Sequence, residues 1–382
     1  MTEKPVVRPR TSEPWLSEYL HSKGNRLGLP ISGTFELTAR CNFNCRMCYV
    51  HQQDLPEQEK RELSAEQWLA IAREARDAGM MFLLLTGGEP LLRQDFPYLY
   101  TELVKMGLVV SINTNASLYN EELRELFNRY PPSRLNVTLY GGSEETYRTL
   151  CGNASFRKVV DNLRSMKADG LQVRLNVTLT PYNVGDMALI DEISREIGLQ
   201  AKASSYLYPP VRRGGKVGRN DARFSPEEAG AVMARWNALR DTKERTLQRA
   251  EMIRQRRFAG LTETCADVEQ EGVRCRAGRS SFWMTWDGRM LPCGTMDTEA
   301  SYPLRDGFAK AWQEVVASTA AIRLPKECSG CADRENCSVC ASICKGETGA
   351  FDCKPEYICT MMKSARDTTV KIAGNMTEER ET

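Results

Sequence analysis

At 382 residues, with 41% apolar and 27% charged side chains, the chain has a globular composition and room for two domains, since single cores stop growing at about 250–300 residues. Its 52 basic and 50 acidic side chains leave a formal charge of +2, which argues against a nucleic-acid or anionic-membrane partner, and no apolar run approaches the roughly 20 residues that span a bilayer. The opening MTEKPVVRPRTSEPW lacks the apolar segment of a signal peptide, so a cytoplasmic location is expected.

From residue 33 to 208 short apolar runs alternate with stretches of helical period. Strands are predicted over 33–38, 81–86, 108–113, 134–139, 172–179 and 201–208, and helices over 64–79, 95–107, 119–130, 155–170 and 184–198. Such βα units form either a doubly wound sheet or a curved partial barrel; in both, chemistry belongs at the carboxyl ends of the strands. After a Pro/Gly/Arg linker at 209–220, residues 225–258 predict one long helix or two shorter ones, with Ser225 as N-cap and Pro226 in the first turn. From 262 onward the chain is cysteine-rich and lacks regular period, apart from a hairpin over 281–293 turning at Asp287-Gly288 and a helix near 307–319. Metal staples are expected to hold it. The domains are therefore an extension (1–32), an α/β unit (33–208), a linker and bridging helix (209–261), a cysteine-rich unit (262–364) and a frayed polar tail (365–382).

Fourteen cysteines in a cytosolic chain point to metal or cluster binding rather than disulfides. Cys41, Cys45 and Cys48 follow the first strand, and ten more fall between 265 and 359, with Cys151 alone between. A structural zinc usually needs four ligands, of which the loop supplies three and His51 a possible fourth. A four-iron cluster held by three thiolates leaves one iron open to a substrate or cofactor.

The C-x3-C-x2-C loop after the first strand, followed by Gly87-Gly88-Glu89-Pro90 after the second, resembles the radical S-adenosylmethionine (SAM) enzymes. The resemblance implies a partial (β/α)6 TIM-like barrel, a 4Fe-4S cluster on Cys41, Cys45 and Cys48, and SAM chelated to the open iron and cleaved to a 5′-deoxyadenosyl radical. The two glycines let backbone approach the ligand, and Glu89 offers a carboxylate to an ammonium group. Met47 replaces the aromatic residue more usual before the third cysteine, and its side chain can pack on adenine. Asn113 and Thr114 resemble the family's SAM-contacting strand end, and Thr138 and Asn176 occupy comparable rim positions. Tyr140, Tyr147, Tyr206 and Tyr208 are candidate cavity walls.

Cys275-x12-Gly288-x4-Cys293, then Cys328-x2-Cys331-x5-Cys337-x2-Cys340, then Cys344, Cys353 and Cys359, closely resemble the SPASM domain, a small α+β module carrying two auxiliary 4Fe-4S clusters. Residue by residue, the resemblance implies a first cluster on Cys275, Cys293 and Cys340, completed by Cys265 or left open, and a second on Cys328, Cys331, Cys337 and Cys359. The spacing after Cys337 is one residue short, so Cys340 and Cys344 compete for one role, and Cys340 is preferred. A zinc ribbon is the alternative for C-x2-C-x5-C taken alone.

The resemblance implies three 4Fe-4S clusters, SAM, and oxidative modification of a ribosomally made peptide by crosslinking, dehydrogenation or a related change. Flavodoxin or ferredoxin is the expected reductant. The 32 residues before the first strand are too few for a winged-helix leader-binding module, so leader recognition is expected to need a separate protein or another surface. Gly294 stands where relatives that oxidise sulfatases carry aspartate, with Asp297 three residues on, which ranks that activity low. Alternatives are a sugar or amino-alcohol dehydrogenase or epimerase, for which Cys151 is a candidate hydrogen donor, and a non-catalytic metal scaffold. Neither histidine, His21 or His51, lies on a barrel strand, so no base is assigned.

Overall fold

The computed structural model describes residues 16–49, 61–210, 220, 222–258, 269–296, 298–331, 333–334 and 336–378. The strands are β1 (Ser32–Glu36), β2 (Phe82–Thr86), β3 (Val109–Thr114), β4 (Arg134–Thr138), β5 (Val173–Thr178), β6 (Ala201–Ser204), β7 (Ser281–Met284) and β8 (Met290–Leu291). Helices of eight or more residues are α1 (Leu16–Leu27), α2 (Ala65–Asp77), α3 (Phe96–Lys105), α4 (Glu121–Arg129), α5 (Glu144–Cys151), α6 (Phe156–Ala168), α7 (Met187–Glu196), α8 (Pro226–Arg240), α9 (Lys243–Phe258), α10 (Phe308–Ala321), α11 (Ala341–Thr348) and α12 (Glu356–Glu378).

All six predicted barrel strands form, and they lie side by side in parallel, in the spatial order β6-β5-β4-β3-β2-β1. The predicted 281–293 hairpin forms as β7–β8 with its turn at Asp287-Gly288, but it does not stand apart. β7 adds to the same sheet, parallel to β1, so one eight-stranded sheet runs across the expected boundary at 262.

Alternation sorts the two faces. Ile112, Leu135, Val137, Leu175 and Val177 are buried toward the flanking helices, whereas Asn113, Asn136, Thr138, Asn176 and Thr178 share the other face. Parallel strands covered on both sides usually read as continuous apolar runs. A polar concave face therefore marks a surface kept for a ligand rather than for packing.

Residues 225–258 split into two helices at Asp241, whose backbone is extended. Ser225 caps α8 with a capping box: its hydroxyl accepts from Glu228 N, and the Glu228 carboxylate accepts from Ser225 N. The expected frayed tail is instead the helix α12, continuous through Glu378. Its polar composition concealed a docking site, because Gly230 lets α8 approach so closely that a Cβ there would stand 2.2 Å from Met361 O. Helices α1, α5 and α11 were not predicted; α5 and α11 are each 8 residues long, too short to display a period.

Candidate active site

The cysteine loop is gripped from two sides. Backbone hydrogen bonds continue past the ends of β1 and β2: Leu37 N donates to Thr86 O (2.8 Å), Gly88 N to Thr38 O (2.7 Å) and Glu89 N to Arg40 O (2.9 Å). A Cβ on Gly87 would lie 2.4 Å from Thr38 O, and one on Gly88 2.1 Å from Arg40 O. Only glycine allows this approach, and the close partner is the segment leading into Cys41. On the other side the last carbonyls of α5, which no helical N–H can reach, accept from the loop: Asn44 N to Cys151 O (2.8 Å) and Arg46 N to Leu150 O (3.0 Å).

These contacts gather the three thiols beside a cavity of about 400 Å³. Its walls include Cys41, Cys45, Cys48 and Met47 from the loop, Gly87 and Gly88 from the turn, and Asn113, Thr114, Thr138 and Asn176 from the strand ends. Thus every proposed SAM contact except Glu89 and Pro90 lines one space. Tyr140, Tyr206 and Tyr208 also line it; Tyr147 lies behind, its hydroxyl accepting from Tyr140 N at 3.3 Å.

Glu89 is fully buried and does not face the cavity. Its carboxylate accepts from Leu91 N (3.1 Å), Thr114 Oγ1 (2.8 Å) and Asn115 N (2.7 Å), tying the glycine turn to the end of β3. Burial nevertheless raises its pKa to about 7. Pro90 starts the short 3-10 turn that Glu89 caps.

Contact with Cys151 and burial push the Cys45 thiol up, while the Tyr140 hydroxyl, hydrogen-bonded to it, favours the thiolate. Burial also raises Cys41. Thiolates there need a compensating positive charge, which an iron–sulfur core supplies, so the donor set fits that group. Among the described residues no three Cys, His, Asp or Glu side chains close on a single metal ion; His51 lies outside them. Cys151 is buried behind Cys45 and is absent from the cavity wall.

In the C-terminal region Cys340 stands near Cys293 and Cys275, and Cys328 near Cys359, Cys337 and Cys331, the two sets expected from the sequence. Buried Cys344 lies between them, close to Cys328 and Cys340, and burial lifts its thiol to about 12. Cys353 is exposed, every described cysteine is a free thiol, and Cys265 and Asp297 fall outside the described residues. Gly294 packs under an indole: a Cβ there would lie 2.5 Å from Trp283 Cε2, so an aspartate at this position would displace the ring. His21 is buried, hydrogen-bonded to Ser280 Oγ at 3.0 Å, and lowered to about 4 by burial and then by Arg276.

Sequence reasoning missed Asn115, Asn136 and Thr178. Asn115 Nδ2 donates to Asn42 Oδ1 at 2.9 Å and lies 3.8 Å from Cys41 Sγ. Asn136 and Thr178 carried a signal, since the hexapeptide RLNVTL occurs at both 134–139 and 174–179 and presents Asn and Thr toward the cavity from both strands.

Residues 35–193, which hold the thiol loop, the glycine turn and the strand ends, match the Radical SAM superfamily. That segment is a radical SAM domain. Curated relatives include the AdoMet-dependent heme synthase of Methanosarcina barkeri (strain Fusaro), 23% identical over an alignment of 346 positions that covers 83% of this chain and 93% of that protein. The probable GTP 3′,8-cyclase of Metallosphaera sedula is 26% identical over 272 residues, 70% of this chain and 82% of that one. Among solved structures, Streptococcus suis SuiB bound to its precursor peptide SuiA aligns with TM-score 0.63 at 14% identity, over 94% of this chain and 84% of SuiB. The enzyme anSMEcpe with bound AdoMet and a Cp18Cys peptide aligns at 0.64 and 16%, over 91% and 99%. The fold is thus that of radical SAM enzymes with a cysteine-rich C-terminal unit. No described helix is long and apolar enough to cross a membrane.

Proposed function

We propose that this radical SAM enzyme abstracts hydrogen from a ribosomally synthesised peptide and oxidatively modifies it, by crosslinking, dehydrogenation or a related change, in the cytoplasm. The observation that carries the radical step is the meeting of Cys41, Cys45 and Cys48 with the glycine turn and the polar strand ends around one cavity. A four-iron cluster held by the three thiolates would supply the electron that cleaves SAM to a 5′-deoxyadenosyl radical. Around it the chain positions the reactants: Gly87 and Gly88 offer backbone without side-chain bulk, Asn113, Thr138 and Asn176 offer hydrogen bonds, Thr114 lines the cavity while its hydroxyl holds Glu89, and Tyr140 steadies Cys45. Two auxiliary clusters, on Cys275, Cys293 and Cys340 with or without Cys265, and on Cys328, Cys331, Cys337 and Cys359, would accept the electron released by the oxidised substrate. Flavodoxin or ferredoxin is the reductant of this scheme, and the leader is held by a separate protein or by another surface of the enzyme.

The peptide assignment is supported by the shared fold with SuiB bound to SuiA and with peptide-bound anSMEcpe. A small-molecule substrate is favoured by the names of the curated relatives, a heme synthase and a GTP cyclase. The test is anaerobic incubation of the reconstituted enzyme with SAM and dithionite, with and without a peptide encoded beside its gene. The enzyme is expected to release 5′-deoxyadenosine and change the peptide mass. Replacing Cys41, Cys45 and Cys48 with alanine should abolish both and leave iron in the C-terminal unit; a triple variant that still cleaves SAM overturns the site. Mass change in a sugar or amino-alcohol instead of the peptide selects the second reading.

A further inference from the structure

We propose that the amino-terminal end of the barrel, opposite the SAM cavity, is an oxyanion-binding site for a ligand that presents carboxylates or phosphates. Here an open cavity of about 990 Å³ is lined by Arg134, Lys167, Arg174 and Lys202, with Arg240 and Asp241 at its edge. The last two are already compensated, Arg240 by Asp191 and Asp241 by Arg249. The first four have no carboxylate partner among the described residues. Arg134 is half-buried and donates to a neutral group, Asn136 Oδ1, at 2.9 Å. Burial and then the nearby Arg174 charge press its pKa below the ordinary guanidinium value.

The half-buried Arg134 and the exposed Arg174 present like charges to one wall, and an anion between them would relieve that repulsion. Planar guanidiniums match carboxylate and phosphate oxygens in particular. The arrangement follows from the repeated hexapeptide. RLNVTL lies on adjacent strands staggered by two residues, Asn136 level with Arg174 and Thr138 level with Asn176. Each copy therefore places its arginine at the amino end and its threonine toward the SAM cavity. Arg134 and Thr138 are four residues apart, about 13 Å at about 3.3 Å per residue. The two ends are also linked by hydrogen bonds, Arg134 to Asn136 and Asn136 Nδ2 to Asn113 Oδ1 (2.9 Å). The anion site is a separate cavity, sharing no wall residue with the SAM cavity.

Titration calorimetry of the reconstituted enzyme with tripolyphosphate, and separately with a pentaglutamate peptide, tests it. At least one probe is expected to bind, more weakly as salt rises. Arg134→Gln/Arg174→Gln should weaken binding about tenfold or more, and Lys202→Gln about threefold. Lys202 is exposed, so its variant keeps the test valid if the double variant does not fold. Arg305→Gln, far from the pocket, should bind as the wild type does. Binding of tripolyphosphate alone identifies a phosphate-bearing ligand, and of pentaglutamate alone an acidic peptide segment. Failure of both probes to bind below about 1 mM, or equal binding by wild type and Lys202→Gln, overturns the proposal. No turnover is needed, so that failure leaves the peptide reading standing, and an unmodified peptide leaves the anion site standing.

Discussion

At the scale of single residues, Glu89 shows how a position can serve the site without touching a ligand. In the sequence it offered a carboxylate to an ammonium group; in the structure three donors hold it beneath the glycine turn. Its folded pKa of about 7 lies above the ordinary 4.5 because burial penalises the charge. A carboxyl raised on folding contributes fully below the unfolded value, and that contribution is lost as pH rises through the folded one. Between pH 5 and 8 the wild type should therefore lose stability relative to Glu89→Gln, by on the order of 3 kcal/mol. Melting curves of the two proteins that shift in parallel with pH would refute this. Gly88 admits no side chain, since Arg40 O stands 2.1 Å from where a Cβ would be. Gly88→Ala should cost about 2 kcal/mol or more and lower the iron retained by the loop, measured by thermal unfolding and by iron content after reconstitution.

At the scale of elements, the long strands and helices of the barrel were legible because each carries several turns of period, whereas α5 and α12 were not. The α5 helix is short, and its importance lies in carbonyls that meet a loop about 100 residues away in sequence. The α12 helix reads as a polar tail until its partner α8 is in place. Gly230→Ala decides between two effects of opposite sign: alanine adds about 1 kcal/mol of helix propensity, but its Cβ would overlap the α12 backbone at Met361 O and Ala365 N. The overlap should win, because backbone cannot swing aside as a side chain can. We expect a net loss of about 1–3 kcal/mol and a lower unfolding midpoint in urea. Ser225→Ala removes the capping box of α8 and should cost about 1 kcal/mol.

At the scale of the whole molecule, the cysteine-rich unit is sewn to the barrel twice. At one edge β7 pairs with β1. At the other, beside the cavity, Arg223 and Glu347 form a buried ion pair at 2.8 Å, with the Tyr206 hydroxyl donating to the same carboxylate at 2.7 Å and Arg223 stacked 3.6 Å from the centre of the Tyr357 ring. Glu347→Gln leaves that guanidinium buried without its carboxylate. It should lower stability by about 3 kcal/mol, read by chemical denaturation, and Glu347→Asp should recover part of the loss.

The local chain determined its six barrel strands, the thiol loop and the glycine turn, because spacing and period are properties of neighbours in sequence. Tertiary structure alone decided that Glu89 is a brace, that Cys151 sits behind Cys45, that β7 completes the barrel sheet, and that two arginines forty residues apart share one wall. Each of these depends on which segments meet in space, and burial, charge and close approach take their values only when they do.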